Sequence, residues 1–310
     1  MQSFFKEYYV SQIMHEFAII DAPSILGLRP TGVENLPQAL KAAGLHEKLE
    51  AQYVGRVDPS SPYNSERDSK TLLLNAKAIR EFSQVLCSSV SNVLSKKLFP
   101  IVIGGDCSIV IAPLLALRHH SGTYGLFFID GHADFYQPEA SVNGEVADMD
   151  LAIVSGRGPD ILTNINGLKP YVRDEDIVLF GYRDAEQSST YGSQDVRDTK
   201  MHLFDLLEIK RLEIRNAVSL ATKSLLNNRI EGFWIHLDAD VLNDTIMPAV
   251  DYRLDDGLSY SDLTEVLNVL LATRRAVGMT ITIFNPRLDL DGSIARKFVS
   301  SIVDGLLKTS

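Results

Sequence analysis

The chain has 310 residues, 45% of them hydrophobic, and a formal charge of -10 from 30 Lys+Arg against 40 Asp+Glu. That composition supports a large core, and its acidity argues against a broad polyanion-binding surface and hence against nucleic acid as a partner. Two cysteines, Cys87 and Cys107, cannot form a disulfide framework, no apolar run reaches the ~18 residues of a membrane helix, and the first residues lack the basic-then-apolar order of a secretion signal, so the expectation is a cytoplasmic protein with no membrane partner.

Residues 1–15 carry Phe4, Phe5, Tyr8, Tyr9 and Ile13 at helical spacing and read as an N-terminal helical extension. Phe17 to Pro23 reads as a short buried strand, and Glu34 to Ala43 as a helix stopped by Gly44. Thr71 to Lys97 reads as a long amphipathic helix with Leu73, Ala76, Ile79, Phe82 and Val85 in one stripe. Pro100 to Ile103 is a strand ending at Gly104-Gly105-Asp106-Cys107-Ser108, with a helix from about Ile109 to His120. Further strands are expected at Tyr124 to Ile129, Asp176 to Phe180 and Met201 to Phe204, then a helix from Ile209 to Asn227. A strand from Gly232, a helix from Ser261 to Ala272, a strand from Ala276 to Phe284 and a helix from Ser293 to Leu307 complete the chain. Strands alternating with helices, each strand a near-continuous apolar run, predict an α/β fold of three layers with a mostly parallel, doubly wound sheet, in one domain over residues 1–310.

Two stretches carry chemistry. Leu126 to Ile129 ends in Asp130-Gly131-His132-Ala133-Asp134, and a strand's period of two would put Asp130, His132 and Asp134 on one side of the chain. Gly232 to Leu237 likewise ends in Asp238-Ala239-Asp240. In a doubly wound sheet such groups collect beyond the carboxyl ends of the strands. Four carboxylates and an imidazole in one pocket would repel unless divalent cations joined them, and hard oxygen ligands with one histidine suit Mn²⁺ or a similar ion. Two ions would turn a bound water into hydroxide near neutral pH, which makes a hydrolase centre. Asp106, Asp184 and Asp244 read as caps or turn residues, His236 as a satisfied core histidine, and His119 and His120 as helix-end cations. Gly156-Arg157-Gly158-Pro159 lacks the context of a phosphate loop and reads as a turn.

The motifs Gly104 to Ser108, Asp130 to Asp134 and His236 to Asp240 resemble those of the arginase/agmatinase/formiminoglutamase superfamily of ureohydrolases. Weaker echoes are Gly32-Val33-Glu34 with Pro37, Gly181-Tyr182-Arg183-Asp184 and Asn285-Pro286. The resemblance implies an arginase-like fold and two divalent ions, usually manganese. One would be held by Cys107 with Asp134 and the other by His132 with Asp240, Asp130 and Asp238 bridging, and Asp134 orienting a bridging hydroxide that attacks a guanidinium or amidine carbon. A small-molecule substrate is implied, and a homo-oligomer by family analogy.

Three departures are visible. The family carries histidine where Cys107 stands; a thiolate there would shift preference towards Zn²⁺ or Fe²⁺, while the alternative is a buried thiol beside one vacant metal position. Ile283 stands where arginases and agmatinases place the glutamate that pairs with the substrate guanidinium, and only Asp289 or Asp291 could substitute for it. Ala147 replaces a histidine proposed to shuttle protons in arginases. The expectation is therefore a metal-dependent hydrolase of a non-peptide C–N bond, in a linear amidine or amide, other than an orthodox arginase. The alternative is a catalytically silent member serving binding or assembly. Asn143, Glu145 and Glu186 are candidate substrate contacts, against the reading of solvated loop residues.

Overall fold

The computed structural model describes residues 16–227 and 229–307, so the helix expected over residues 1–15 lies outside the described residues. Eight strands are described: β1 (Phe17–Ala22), β2 (Gln52–Arg56), β3 (Phe99–Gly104), β4 (Tyr124–Ile129), β5 (Ile177–Phe180), β6 (His202–Phe204), β7 (Gly232–Asp238) and β8 (Ala276–Thr282). All pair in parallel in one sheet of order β2-β1-β3-β8-β7-β4-β5-β6.

The helices are α1 (Leu36–Ala42), α2 (Leu45–Lys48), α3 (Ala76–Ser95), α4 (Ile111–His119), α5 (Asp150–Val154) and α6 (Asp160–Thr163). They continue with α7 (Ala185–Thr190), α8 (Leu206–Leu212), α9 (Ile214–Leu226), α10 (Tyr260–Ala272) and α11 (Ser293–Leu307). Strand alternation divides the apolar residues between two cores. Phe127, Ile129, Ile235 and Ile281 face α1, α8, α9, α10 and α11, while Leu126, Phe128, Val102 and Trp234 face α3, α4, α5 and α6. This is the predicted α/β sandwich, with helices covering both faces of the sheet.

Several elements differ from the sequence reading. The helix expected from Thr71 starts only at Ala76, after Asn75 in a left-handed conformation (φ 50), so Leu73 is buried from a loop. Val85 is 56% exposed and Leu86 takes its place in the core. A strict three-residue step falls short of a helical turn by about 60°, so between Ala76 and Val85 the stripe rotates to the opposite side. The helix expected from Ile209 to Asn227 is two helices, broken at Glu213 (φ 66). β2 has no sequence counterpart because Gln52, Tyr53 and Arg56 give it no apolar run; it pairs only with β1, at the sheet edge. Gly156 to Pro159 forms a turn as expected, and Arg157 grips Asp174 through two hydrogen bonds of 2.8 and 2.7 Å.

The segment after β3 shows how the chain fixes a functional loop. Gly105 passes so close to the Ser24 carbonyl that a Cβ would collide with it. Asp106 is fully buried; its Oδ1 accepts from Ser108 N at 3.0 Å and its Oδ2 from Ser24 Oγ at 2.9 Å, capping the turn Cys107–Val110 that leads into α4. The capping reading of Asp106 therefore holds. Asp106→Ala removes both bonds from a buried site and is expected to lower stability by about 1–3 kcal/mol in urea unfolding; an unchanged midpoint would contradict this account of the loop.

Candidate metal centre

The four central strands deliver the site. Cys107 follows β3, Asp130 follows β4, Asp238 ends β7 and Ile283 follows β8. Ile129 pairs with Leu237, so Asp130 and Asp238 leave adjacent strands level with each other, and Asp238 pairs with Thr282 on its other side. The Cys107 thiol donates to Asp238 Oδ2 at 2.7 Å and lies 3.3 Å from Thr282 Oγ1. Backbone amides hold the carboxylates: His132 N donates to Asp130 Oδ1 at 2.7 Å, Asp240 N to Asp238 Oδ1 at 2.8 Å, and Gly131 N to Asp240 Oδ1 at 3.1 Å.

The first ligand cluster converges by a different geometry from the one the strand period suggests. The strand stops at Ile129, the chain bends at Gly131 and His132, and Asp134 adopts a left-handed conformation (φ 43). This turn, and not extended alternation, leaves donor atoms of Asp130, His132 and Asp134 within 4.8 Å of one another. Cys107, His132, Asp134, Asp238 and Asp240 all line one cleft, which encloses about 220 Å³. Three overlapping sets place one donor atom per residue within 4.8 Å of one another: Cys107, Asp130, His236 and Asp238; Cys107, Asp134 and Asp150; and Asp130, His132 and Asp134. Asp240 lies outside these sets, its Oδ2 held by His132 Nδ1 at 2.9 Å.

These sets fit divalent ions. Asp130 Oδ2 and His236 Nε2 are buried and have no hydrogen-bond partner among the described residues. Burial first, then mutual repulsion, raises Asp130, Asp134 and Asp238 well above the usual carboxylate range, and Asp150 joins them mainly through burial. Burial and Asp238 likewise push the Cys107 thiol up. Burial opposes charge on His132, but Asp240, Asp184 and Asp238 overcome it and raise its pKa to about 9. Burial pushes Asp240 up, yet His132 and Arg183 outweigh it and leave its pKa lowered. Donor groups whose protons are favoured by burial and that crowd together are those that a dication would deprotonate and join.

The sequence reading missed three of the groups gathered here. Asp150 and Asp148 belong to the segment after Asp134 and carry no spacing signal. His236 did carry one, since the alternation that marks Asp238 and Asp240 extends back to it. The satisfied core histidine expected at His236 is only half satisfied: Nδ1 meets Thr280 Oγ1 at 2.8 Å, and Nε2 has no hydrogen-bond partner among the described residues. Asp148 lies on the cleft wall with a pKa raised to about 7, chiefly by burial and then by Glu145.

The candidate substrate contacts separate. Asn143 lines the cleft, with its Oδ1 accepting from Ser141 Oγ and Glu145 N, each at 3.0 Å. Glu145 is fully buried and committed: Arg29 Nε donates to Oε1 at 2.7 Å and Tyr252 OH to Oε2 at 2.8 Å. Glu186 is exposed on α7, and the cleft is lined instead by its neighbour Gln187. Ile283 lines the cleft at 6% exposure in a left-handed conformation (φ 68), an outlier for a β-branched residue. Neither acid that could replace the missing glutamate does so: Asp289 caps α11 through Ile294 N and Ala295 N, and Asp291 accepts from Ser293 N.

The raised carboxyls have a consequence for stability. Asp130, Asp134, Asp150 and Asp238 sit above the free aspartate value of 3.8, so between that value and the folded ones the ion-free fold holds more protons than the unfolded chain. Their stabilising contribution is full below about pH 4 and disappears as pH rises through the folded values. His132, raised to about 9, acts in the same direction. Chelator-treated protein should therefore lose Tm from about pH 5 to about pH 8, and Mn²⁺ or Zn²⁺ should flatten the slope. A chelated Tm independent of pH would contradict the crowding described here.

Comparison with known proteins agrees with this arrangement. A sequence profile of the Arginase family matches residues 15–307. The arginase of Staphylococcus aureus strain COL is 29% identical over 290 residues, covering 92% of this chain and 94% of that one. The solved arginase of Bacillus caldovelox superposes with a TM-score of 0.86 at 27% identity, covering 95% of this chain and 99% of that one. The proclavaminate amidino hydrolase of Streptomyces clavuligerus, at 17% identity and a TM-score of 0.67 over 96% of this chain and 93% of its own, shares the fold alone. With the profile spanning nearly the whole chain and the acidic clusters meeting at one sheet edge, the chain belongs to the arginase family of ureohydrolases.

Proposed function

We propose that this chain is a metal-dependent hydrolase of a non-peptide C–N bond, acting on a linear amidine or amide other than arginine. Ile283 carries the reading. Its apolar side chain occupies the cleft beside Cys107, where it has nothing to offer a guanidinium cation, and a charged hydrogen bond of ~1.5–3 kcal/mol is absent for any substrate that needs it.

The ligands proposed are Cys107 and Asp134 for one ion, His132 and Asp240 for the other, and Asp130 and Asp238 between them. Manganese follows from the family, and zinc or iron from the thiol donor. When bound, such ions would supply hydroxide at neutral pH and polarise the scissile carbon's substituent. Asp134 would accept a proton and orient the attacking oxygen. Asp148 follows Ala147 in sequence, lines the same cleft and titrates at about 7, so it supplies a proton carrier for the departing amine where the family's histidine is missing. Besides its acidic residues the cleft is lined by apolar Leu28, Ala147 and Ile283 and by uncharged polar Tyr136, Tyr191 and Asn143, which suits a reacting group such as an amide that carries no charge.

A screen of amine and ammonia release over guanidino, ureido, formimino and acyl-amine compounds tests the reading. Turnover is expected with neutral members of the set and not with arginine or agmatine. Asp134→Asn should lower kcat by about 100-fold or more and weaken the ion that Asp134 shares with Cys107, and Ile283→Glu should improve binding of a guanidinium ligand. Arginine emerging as the best substrate would overturn the proposed specificity. Protein purified without chelator that carries no ions would instead favour the silent binding module.

A further inference from the structure

We propose that His236 is a metal ligand, forming with Cys107, Asp130 and Asp238 a cage of one sulfur, one nitrogen and two oxygen donors that would select Zn²⁺ over Mn²⁺. The inference rests on the reading of an ion-dependent site given above, and it replaces a core histidine with a donor at the family's cysteine-substituted position. The imidazole that the family supplies from position 107 would here come from the floor of the sheet.

The placement follows from strand geometry. His236 stands two residues before Asp238 on β7, so both side chains emerge on the same face of the sheet. Phe128 pairs with His236, and two residues later Asp130 lies beside Asp238. The ring is fixed on two sides: it stacks on Phe128 with centroids 4.4 Å apart and planes 17° from parallel, and Nδ1 meets Thr280 Oγ1 at 2.8 Å. With Nδ1–H donating to Thr280, the lone pair of Nε2 remains available, and Nε2 is the ring atom with no hydrogen-bond partner among the described residues. A ring nitrogen of His236 lies within 4.8 Å of donor atoms from the other three residues, all four at 1% exposure or less.

Two further observations point to the same occupant. Asp130 Oδ2 is a second buried atom with no partner among the described residues, and it belongs to the same set of four. The Cys107 thiol meets Asp238 Oδ2 at 2.7 Å, so both donors converge on one point, where a dication would replace the shared proton. A thiolate, an imidazole and two carboxylates match the tetrahedral preference of Zn²⁺, whereas Mn²⁺ favours oxygen donors in larger number. The competing set of Cys107, Asp134 and Asp150 contains no imidazole, and this difference makes the two arrangements separable.

The test uses the full chain, stripped with chelator and titrated with Co²⁺ or Zn²⁺, with bound ions counted and the cobalt spectrum recorded. Wild type should show a thiolate charge-transfer band. His236→Asn should bind the band-bearing ion at least about tenfold more weakly, and Thr280→Val should weaken it in the same direction, since orienting partners of ligating histidines are typically worth 10–100-fold. An unchanged band and affinity in His236→Asn overturns the inference and leaves the hydrolase reading standing. A wild type that binds no dication overturns both. Should His236→Asn fail to fold, zinc X-ray absorption on His132→Ala protein decides, because His236 is then the only imidazole in the three donor sets. Imidazole and sulfur on one zinc supports the proposal, and sulfur with oxygen alone overturns it.

Discussion

The structure depends on an electrostatic constraint. Asp130, Asp134, Asp150 and Asp238 lie together at the carboxyl edge of the central strands, beside a buried thiol, and all but Asp134 are buried. Close buried carboxyls cannot all ionise unless something positive joins them. The nearby cations are committed to Asp240: His132 Nδ1 holds its Oδ2 at 2.9 Å, and Arg183 lowers its pKa as well. Protons or dications must supply the rest, and mass action makes dications the stabilising choice wherever they are available.

The scaffold aims these groups. Asp130 and Asp238 each give one oxygen to a backbone amide two residues ahead, which fixes the carboxylate plane and leaves the second oxygen pointing inward. The remote motif fragments serve the same end. Gly32 (φ 136) packs so closely on Asn285 that a Cβ would sit 2.5 Å from its Oδ1, and Asn285 Nδ2 donates to Asp251 Oδ1 at 2.7 Å. Arg287 reaches Glu34 at 3.1 Å. Segments near both ends of the chain are thereby clamped around the loop after β7.

Much of this was legible in the sequence. β4 and α11 have the expected bounds, and both acidic clusters were placed on one sheet edge by topology alone. What escaped had physical reasons. β2 has no apolar alternation because only one of its edges is paired, and Glu213 breaks a helix through a backbone conformation that periodicity does not encode. Asp150 reaches Cys107 only because the long segment after Asp134 folds back, a tertiary event with no local signature. His236 was misjudged because an apolar strand suggests a satisfied side chain, and hydrogen-bond satisfaction is a property of neighbours that sequence does not name.

The pairing of buried Glu145 with Arg29 on one side and Tyr252 on the other has a bearing on how ligands enter. Separating that carboxylate from both donors would strand a charge in the interior, so the bank carrying Asn143 is stapled to its opposite shore before anything arrives. Recognition then resembles filling a rigid mould more than closing a hinge: little binding energy is diverted into ordering the walls, and discrimination falls on the shape of whatever fits.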